Sequence, residues 1–234
     1  MARRKSILFI LILLLSGVFS IWAGDTATFV DLGFSPDGRV YMFAQYGIQA
    51  KTLRPWADLF AVDVNRNSFI SGGTVSYVHD TAAVSGQDGA GAFYRLLSRN
   101  TALADQAGVN FLVQGHLLYV ALDEDMLAPP GRTVEFRDFN QGTSYKARLV
   151  TQTEGSGNNL KSSFYIDFEQ SSRNGTRKSY VAGAPHIKRP LVAEYRICKV
   201  ILAPRNNSIV FVIEQKKQGE SGFDTRYMIE TLPL

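Results

Sequence analysis

The sequence predicts a mainly β fold, propeller-like or built of pseudo-symmetric antiparallel sheets, with one helical insertion near residues 88–107. Three observations predict it. First, a short pattern near the start returns near the end. Phe34-Ser35-Pro36-Asp37-Gly38-Arg39 runs into Val40-Tyr41-Met42-Phe43-Ala44; 168 residues later, Ala203-Pro204-Arg205-Asn206-Asn207 runs into Ser208-Ile209-Val210-Phe211-Val212-Ile213. Second, the strand after each proline is apolar on both faces, which places it between other layers. Third, only one stretch carries convincing helical spacing.

In chain order, residues 27–34 and 39–46 read as strands joined at Ser35-Pro36-Asp37-Gly38, where Pro sets φ and Gly accepts the positive φ that closes the turn. Val40, Met42 and Ala44 lie on one face of the second strand, Tyr41 and Phe43 on the other. Residues 57–64 and 67–78 continue the pattern around Asn65-Arg66-Asn67 and Gly72-Gly73. Ser85-Gly86-Gln87-Asp88 then opens a helix whose Phe93, Leu96, Leu97, Leu103 and Ala107 keep near-helical spacing until Gly108, with a break expected at Asn100-Thr101.

Residues 117–122 return to strand, and Pro129-Pro130-Gly131 is the best linker candidate. Residues 134–139 and 145–151 form a hairpin about Asn140-Gln141-Gly142-Thr143. Strands at 163–169 and 178–182 flank an Asn174-Gly175 turn. In the second copy Ile209, Phe211 and Ile213 oppose Val210 and Val212. The offset of 168 also sets Leu59-Phe60-Ala61 against Tyr227-Met228-Ile229. Residues 24–234 are expected to form one β-rich domain.

Residues 1–23 have the layout of a signal peptide: Arg3, Arg4 and Lys5, then an unbroken apolar run over residues 7–15, then small and turn-forming residues leading to Ile21-Trp22-Ala23, with Ala23 the expected last residue removed. That run is short of the ~20 residues that span a bilayer comfortably; an uncleaved anchor is the alternative. The expected location is periplasmic or secreted, with no stable membrane span after cleavage.

Losing three basic residues leaves 22 against 21 acidic ones, so nucleic acid is not an expected partner. Arg173-Asn174-Gly175-Thr176-Arg177-Lys178 and Lys216-Lys217 read as solvated turns, with an anion site as the alternative. Cys198 is the one cysteine, so no intramolecular disulfide forms, and it reads as core packing.

Ser35-Pro36-Asp37-Gly38 before an apolar strand resembles the blade repeat of TolB-type, WD40-like β-propellers. Over a longer span the chain resembles a family of predicted secreted bacterial proteins, domain of unknown function 2259. Gly33-Phe34-Ser35-Pro36-Asp37-Gly38, Gln45-Tyr46-Gly47, Leu117-Leu118-Tyr119-Val120-Ala121-Leu122-Asp123 and Arg226-Tyr227-Met228-Ile229-Glu230-Thr231 carry that resemblance. It implies export and a β-rich fold, and no activity.

Asp63-Val64-Asn65-Arg66-Asn67 has the oxygen alternation of a calcium loop, but Ser68 and Thr74 replace its glycine and its bidentate glutamate; it reads as a turn. His79, His116 and His186 lack metal-ligand spacing. His79-Asp80 with Ser76 or Ser85 lacks a nucleophile elbow. Asp123-Glu124-Asp125 reads as an acidic turn. No catalytic, cofactor or metal motif stands out. Tyr46, Trp56, Tyr77 and Phe93 are candidates either for recognition or for the core.

The leading expectation is a non-enzymatic envelope or secreted protein that binds a protein or other envelope component. Its candidate interaction loop runs from Tyr46 to Trp56, longer than a tight hairpin needs. The alternative is a small-ligand-binding protein or hydrolase using His79, Asp80 or the run from Asp123 to Asp125.

Overall fold

A computed structural model of the chain describes residues 24–122, 125, 129–220 and 222–234. The expected signal peptide lies outside them, as do Asp123 and Glu124.

The Ser35-Pro36-Asp37-Gly38 turn forms as its residues demand. Ser35 N–H donates to Val40 O at 2.9 Å, Gly38 N–H donates to Ser35 O at 2.8 Å, and Gly38 takes φ 73°. The turn joins β1 (Thr28–Phe34) to β2 (Val40–Ile48); β3 (Pro55–Asp63) and β4 (Ser68–Val78) complete an antiparallel meander in sequential order. Helix α1 (Ala90–Arg99) starts where Asp88 Oδ1 accepts the Ala90 N–H at 2.9 Å. It breaks at Asn100, and α2 (Thr101–Ala107) ends on left-handed Gly108.

The second sheet has the order β13 (Gly222–Pro233), β12 (Ser208–Gly219), β11 (Val192–Leu202), β5 (His116–Val120). The third combines β6 (Thr133–Asp138), β7 (Thr143–Glu154) and β8 (Lys161–Ser171); β9 (Arg177–Gly183) and the two-residue β10 (Arg189–Pro190) both pair with β8.

The chain repeat is a structural repeat. Ala203 N–H donates to Ser208 O at 2.8 Å, reproducing the Ser35–Val40 bond at the same offset. The two turns rest against each other, with Asn206 Nδ2 donating to Gly38 O and to Asn65 Oδ1, each at 3.0 Å. One correction concerns the return strands. Phe43 pairs with Phe60, but Phe211 pairs with Glu230, so Glu230 rather than Met228 matches Phe60. The slip is two residues, which leaves every side chain on its expected face.

Those faces set the layers. Met42 and Ala44 pack with Leu59 against Phe93 and Leu96 of α1. Tyr41 and Phe43 pack across Val210 and Val212 of β12. Ile209, Phe211 and Ile213 turn the other way, onto Phe164, Ile166 and Phe168 of β8. The order is therefore helices, first sheet, second sheet, third sheet. The two repeats meet face to face, and no closed propeller or barrel forms among the described residues.

Aromatic ladders cross the sheets: Phe29, Phe43, Phe60 and Phe69 stack at 5.7, 4.7 and 5.7 Å in the first. Each such pair adds about 0.5–1.5 kcal/mol, less than the roughly 1.5–3 kcal/mol from burying one large apolar side chain, so layer packing dominates.

Strand β13 is an edge, and the first sheet covers it. Gln45 Oε1 accepts the Tyr227 N–H at 2.8 Å, Asn67 Oδ1 the Thr231 N–H at 2.9 Å, and Asp25 O the Thr225 N–H at 2.8 Å. These bonds satisfy edge amides that would otherwise invite pairing with another chain.

Candidate functional site

The loop between β2 and β3 is exposed at its tip and held in one shape. Gln49 N–H donates to Arg54 O at 3.0 Å, and Leu53 N–H donates to Gln49 O at 2.9 Å. Leu53 takes a left-handed φ of 54° while 52% exposed. A branched apolar residue rarely adopts that conformation, and strain of this kind concentrates where surroundings hold a segment for use.

The surroundings are the connection from β4 to α1. Ala83 N–H donates to Leu53 O at 2.7 Å, and Arg54 donates to Asp80 O from Nε at 3.2 Å and Nη2 at 2.8 Å. Exposed Val84 follows Ala83, so Leu53 and Val84 crown two mutually bonded loops. From the other side Lys51 Nζ meets Glu220 Oε2 at 2.7 Å.

The two sequence candidates that bound this loop anchor it from within. Tyr46 is half-buried and stacks on Phe93 at 5.8 Å. Trp56 is 5% exposed, beneath the Arg226 guanidinium. Its indole Nε1 and the Asp25 carboxylate crowd Gly47, where a Cβ would lie 3.1 Å from Nε1 and 2.9 Å from Asp25 Oδ1. Burial, opposed by the Arg226 charge, raises the Asp25 pKa. Tyr77 is half-buried, with the Arg95 and Arg99 guanidiniums over its ring.

His79 and Asp80 belong to the same end of the first sheet. His79 N–H donates to Pro55 O at 2.8 Å, and its Nδ1 accepts from Thr81 N at 3.2 Å. Beside it lies an open cavity of about 520 Å³ lined by His79, Thr81, Gln87, Asp88 and Arg95. Ser76 and Ser85 are exposed and neither lines it.

Asp125 is elsewhere, on the second sheet's side. It pairs with Arg132 at 3.1 Å, and its carbonyl accepts from Arg196 Nη1 at 2.8 Å. No described cavity is lined by both His79 and Asp125.

Asp63 spends its carboxylate on a turn, Oδ1 accepting the Asn65 and Arg66 N–H groups, each at 3.0 Å. Cys198 sits at a bulge of β11, and burial, reinforced by the charge of Glu214, pushes its thiol up to about 12. So little thiolate is present at neutral pH that the thiol is inert there.

The family model described as "Predicted secreted protein (DUF2259)" matches residues 42–232. The chain belongs to this family. Membership makes the DUF2259 protein an exported one, periplasmic or secreted. Neither the curated proteins nor the solved structures contain a match to it. Among the described residues, no helix is long and apolar enough to cross a membrane.

The sequence alone missed the joining of the 46–56 loop to the 79–88 connection. The Arg54–Asp80 contact spans 26 residues and uses a backbone oxygen, which no side-chain motif advertises.

Proposed function

We propose that this DUF2259 protein is a non-enzymatic interaction module of the cell envelope, engaging an envelope protein through the loop from Tyr46 to Trp56. The observation that carries the reading is the fixed, left-handed Leu53, exposed beside Val84 on two loops bonded to each other. A preorganised apolar tip spends little ordering entropy on binding, and apolar anchors in such surfaces dominate affinity.

The test is capture from a native envelope extract with the chain from Gly24 to Leu234 as bait. A reproducible, near-stoichiometric protein partner supports the reading. Its absence under conditions that preserve complexes removes it.

The cavity beside His79 supports a second reading, a site for a small polar ligand, because His79, Arg95 and Gln87 all line it. Replacing His79 by Ala separates the two: it removes small-ligand binding and leaves protein capture unchanged.

A further inference from the structure

The third sheet carries a charge surplus that the rest of the chain lacks. Residues 132–190 hold ten basic and five acidic residues; the remainder of the chain beyond residue 23 holds twelve and sixteen. The outer face of this sheet is striped. One row runs Glu135, Lys146, Glu169 across β6, β7 and β8, with Lys146 bonded to Glu135 at 3.3 Å. The next row pairs Arg148 with Asp167 at 2.6 Å. The first row is left one charge negative, at Glu169, and the second is neutral, so neither carries a cationic surplus.

The row nearest the hairpin tips does. It runs Arg137, Ser144, Ser171, Arg177 across four strands, two arginines about 14 Å apart at the usual strand spacing with two hydroxyls between them. Arg173, in the β8–β9 turn, lies against Gly142 of the β6–β7 turn, so the two tips are neighbours. Among the described residues Arg137, Arg173 and Arg177 have no carboxylate partner; Lys178 falls in the alternate row, with Gln170 and Tyr145. The acid of this region, Asp138, is buried and bound to the Asn140 and Gln141 N–H groups, with His116 at 3.6 Å. Phe139 stands 84% exposed at the tip, with the Arg137 guanidinium 5.7 Å from its ring centre.

We propose that these two hairpin tips form a docking surface for an anionic phospholipid bilayer. The Phe139 ring enters the headgroup boundary, and the three arginines meet lipid phosphates beside it. An exposed aromatic ring on a hairpin tip with unpaired arginines matches both layers of that boundary, apolar below and anionic above. The Arg173-Asn174-Gly175-Thr176-Arg177-Lys178 turn thereby becomes part of an anion-binding surface. This surface is separate from the Leu53 loop and does not depend on it.

The test is co-sedimentation of the chain from Gly24 to Leu234 with vesicles of phosphatidylcholine alone or with added phosphatidylglycerol. Binding is expected with the anionic vesicles only, and is weakened by salt. Arg137→Gln combined with Arg177→Gln weakens it about thirtyfold, at roughly 1 kcal/mol per lost charge. Phe139→Ser weakens it about tenfold, from lost apolar burial, with an unchanged circular dichroism spectrum. Leu53→Asn leaves it intact, which keeps this proposal apart from the protein-capture reading. Equal binding to both vesicle types, wild-type binding by the variants, or binding of inorganic phosphate without vesicle binding each overturns the proposal.

Discussion

Arg226 lays its guanidinium 4.2 Å from the centre of the Trp56 ring, joining the last strand of the chain to the far end of the candidate loop. The same guanidinium donates to Asp25 Oδ2 at 2.8 Å, so the start of the described chain is held in the same stack. Trp56→Ala is therefore expected to remove a core side chain, at about 3–5 kcal/mol. At 5% exposure the ring belongs to the core, so the change acts on the fold as well as on the loop. Urea unfolding checks this, through a large fall in midpoint at constant slope.

Gly38 tests the repeat. A Cβ there would lie 1.9 Å from Pro204 O, and φ 73° disfavours any side chain. Gly38→Ala should force the two turns apart and cost several times the ~1 kcal/mol expected of Asn206→Ala, which removes only side-chain bonds. Parallel denaturation of the two variants measures the ratio.

Glu230 ties three sheets together. It accepts from Asn67 Nδ2 of the first and from Arg189 Nη2 of the third at 3.3 Å, while sitting on the second. Breaking a buried pair from one side leaves the other charge uncompensated, so Glu230→Ala should cost about 3–5 kcal/mol. Arg189→Met together with Glu230→Leu should cost less than the sum of the two single changes, which a double-mutant cycle reads directly.

The buried carboxylates fix the sign of the pH response. Burial raises the pKa of Glu214 above its ordinary value, with the opposing charges of Lys216 and Arg196 too weak to restore it. The folded state then holds this proton more tightly than the unfolded state does. Its contribution to stability is greatest in acid and declines as pH rises from the ordinary carboxylate pKa through the raised one. Asp25, Asp31 and Glu230 are raised in the same direction by burial. Glu214→Gln should accordingly make the urea midpoint less dependent on pH across the acid range.

Much of the fold was legible because strand faces alternate with a fixed period. Tyr41 and Phe43 against Met42 and Ala44 announce a strand between two layers, and the layers are there. The break at Asn100 and the stop at Gly108 follow from local chemistry and also form. The propeller-like arrangement is not seen because a turn motif specifies a hairpin and leaves open how hairpins stack. Here Val210 and Val212 turn the second repeat onto the first instead of around an axis.

The candidate site was half legible. A long loop from Tyr46 to Trp56 is visible in the sequence. Its rigidity comes from the backbone oxygens of Leu53 and Asp80, which carry no residue-type signal. The buried environment of Trp56 depends on Asp25 and Arg226, 201 residues apart.

The most direct measurement of the central claim is quantitative capture of the envelope partner by the wild-type chain and by the Leu53→Asn, Val84→Asp and His79→Ala variants. Asn tolerates the left-handed backbone at position 53, so that variant removes the apolar tip without adding strain. The account predicts loss of the partner with Leu53→Asn and with Val84→Asp, and full retention with His79→Ala. Retention by both loop variants, or loss confined to His79→Ala, would contradict it.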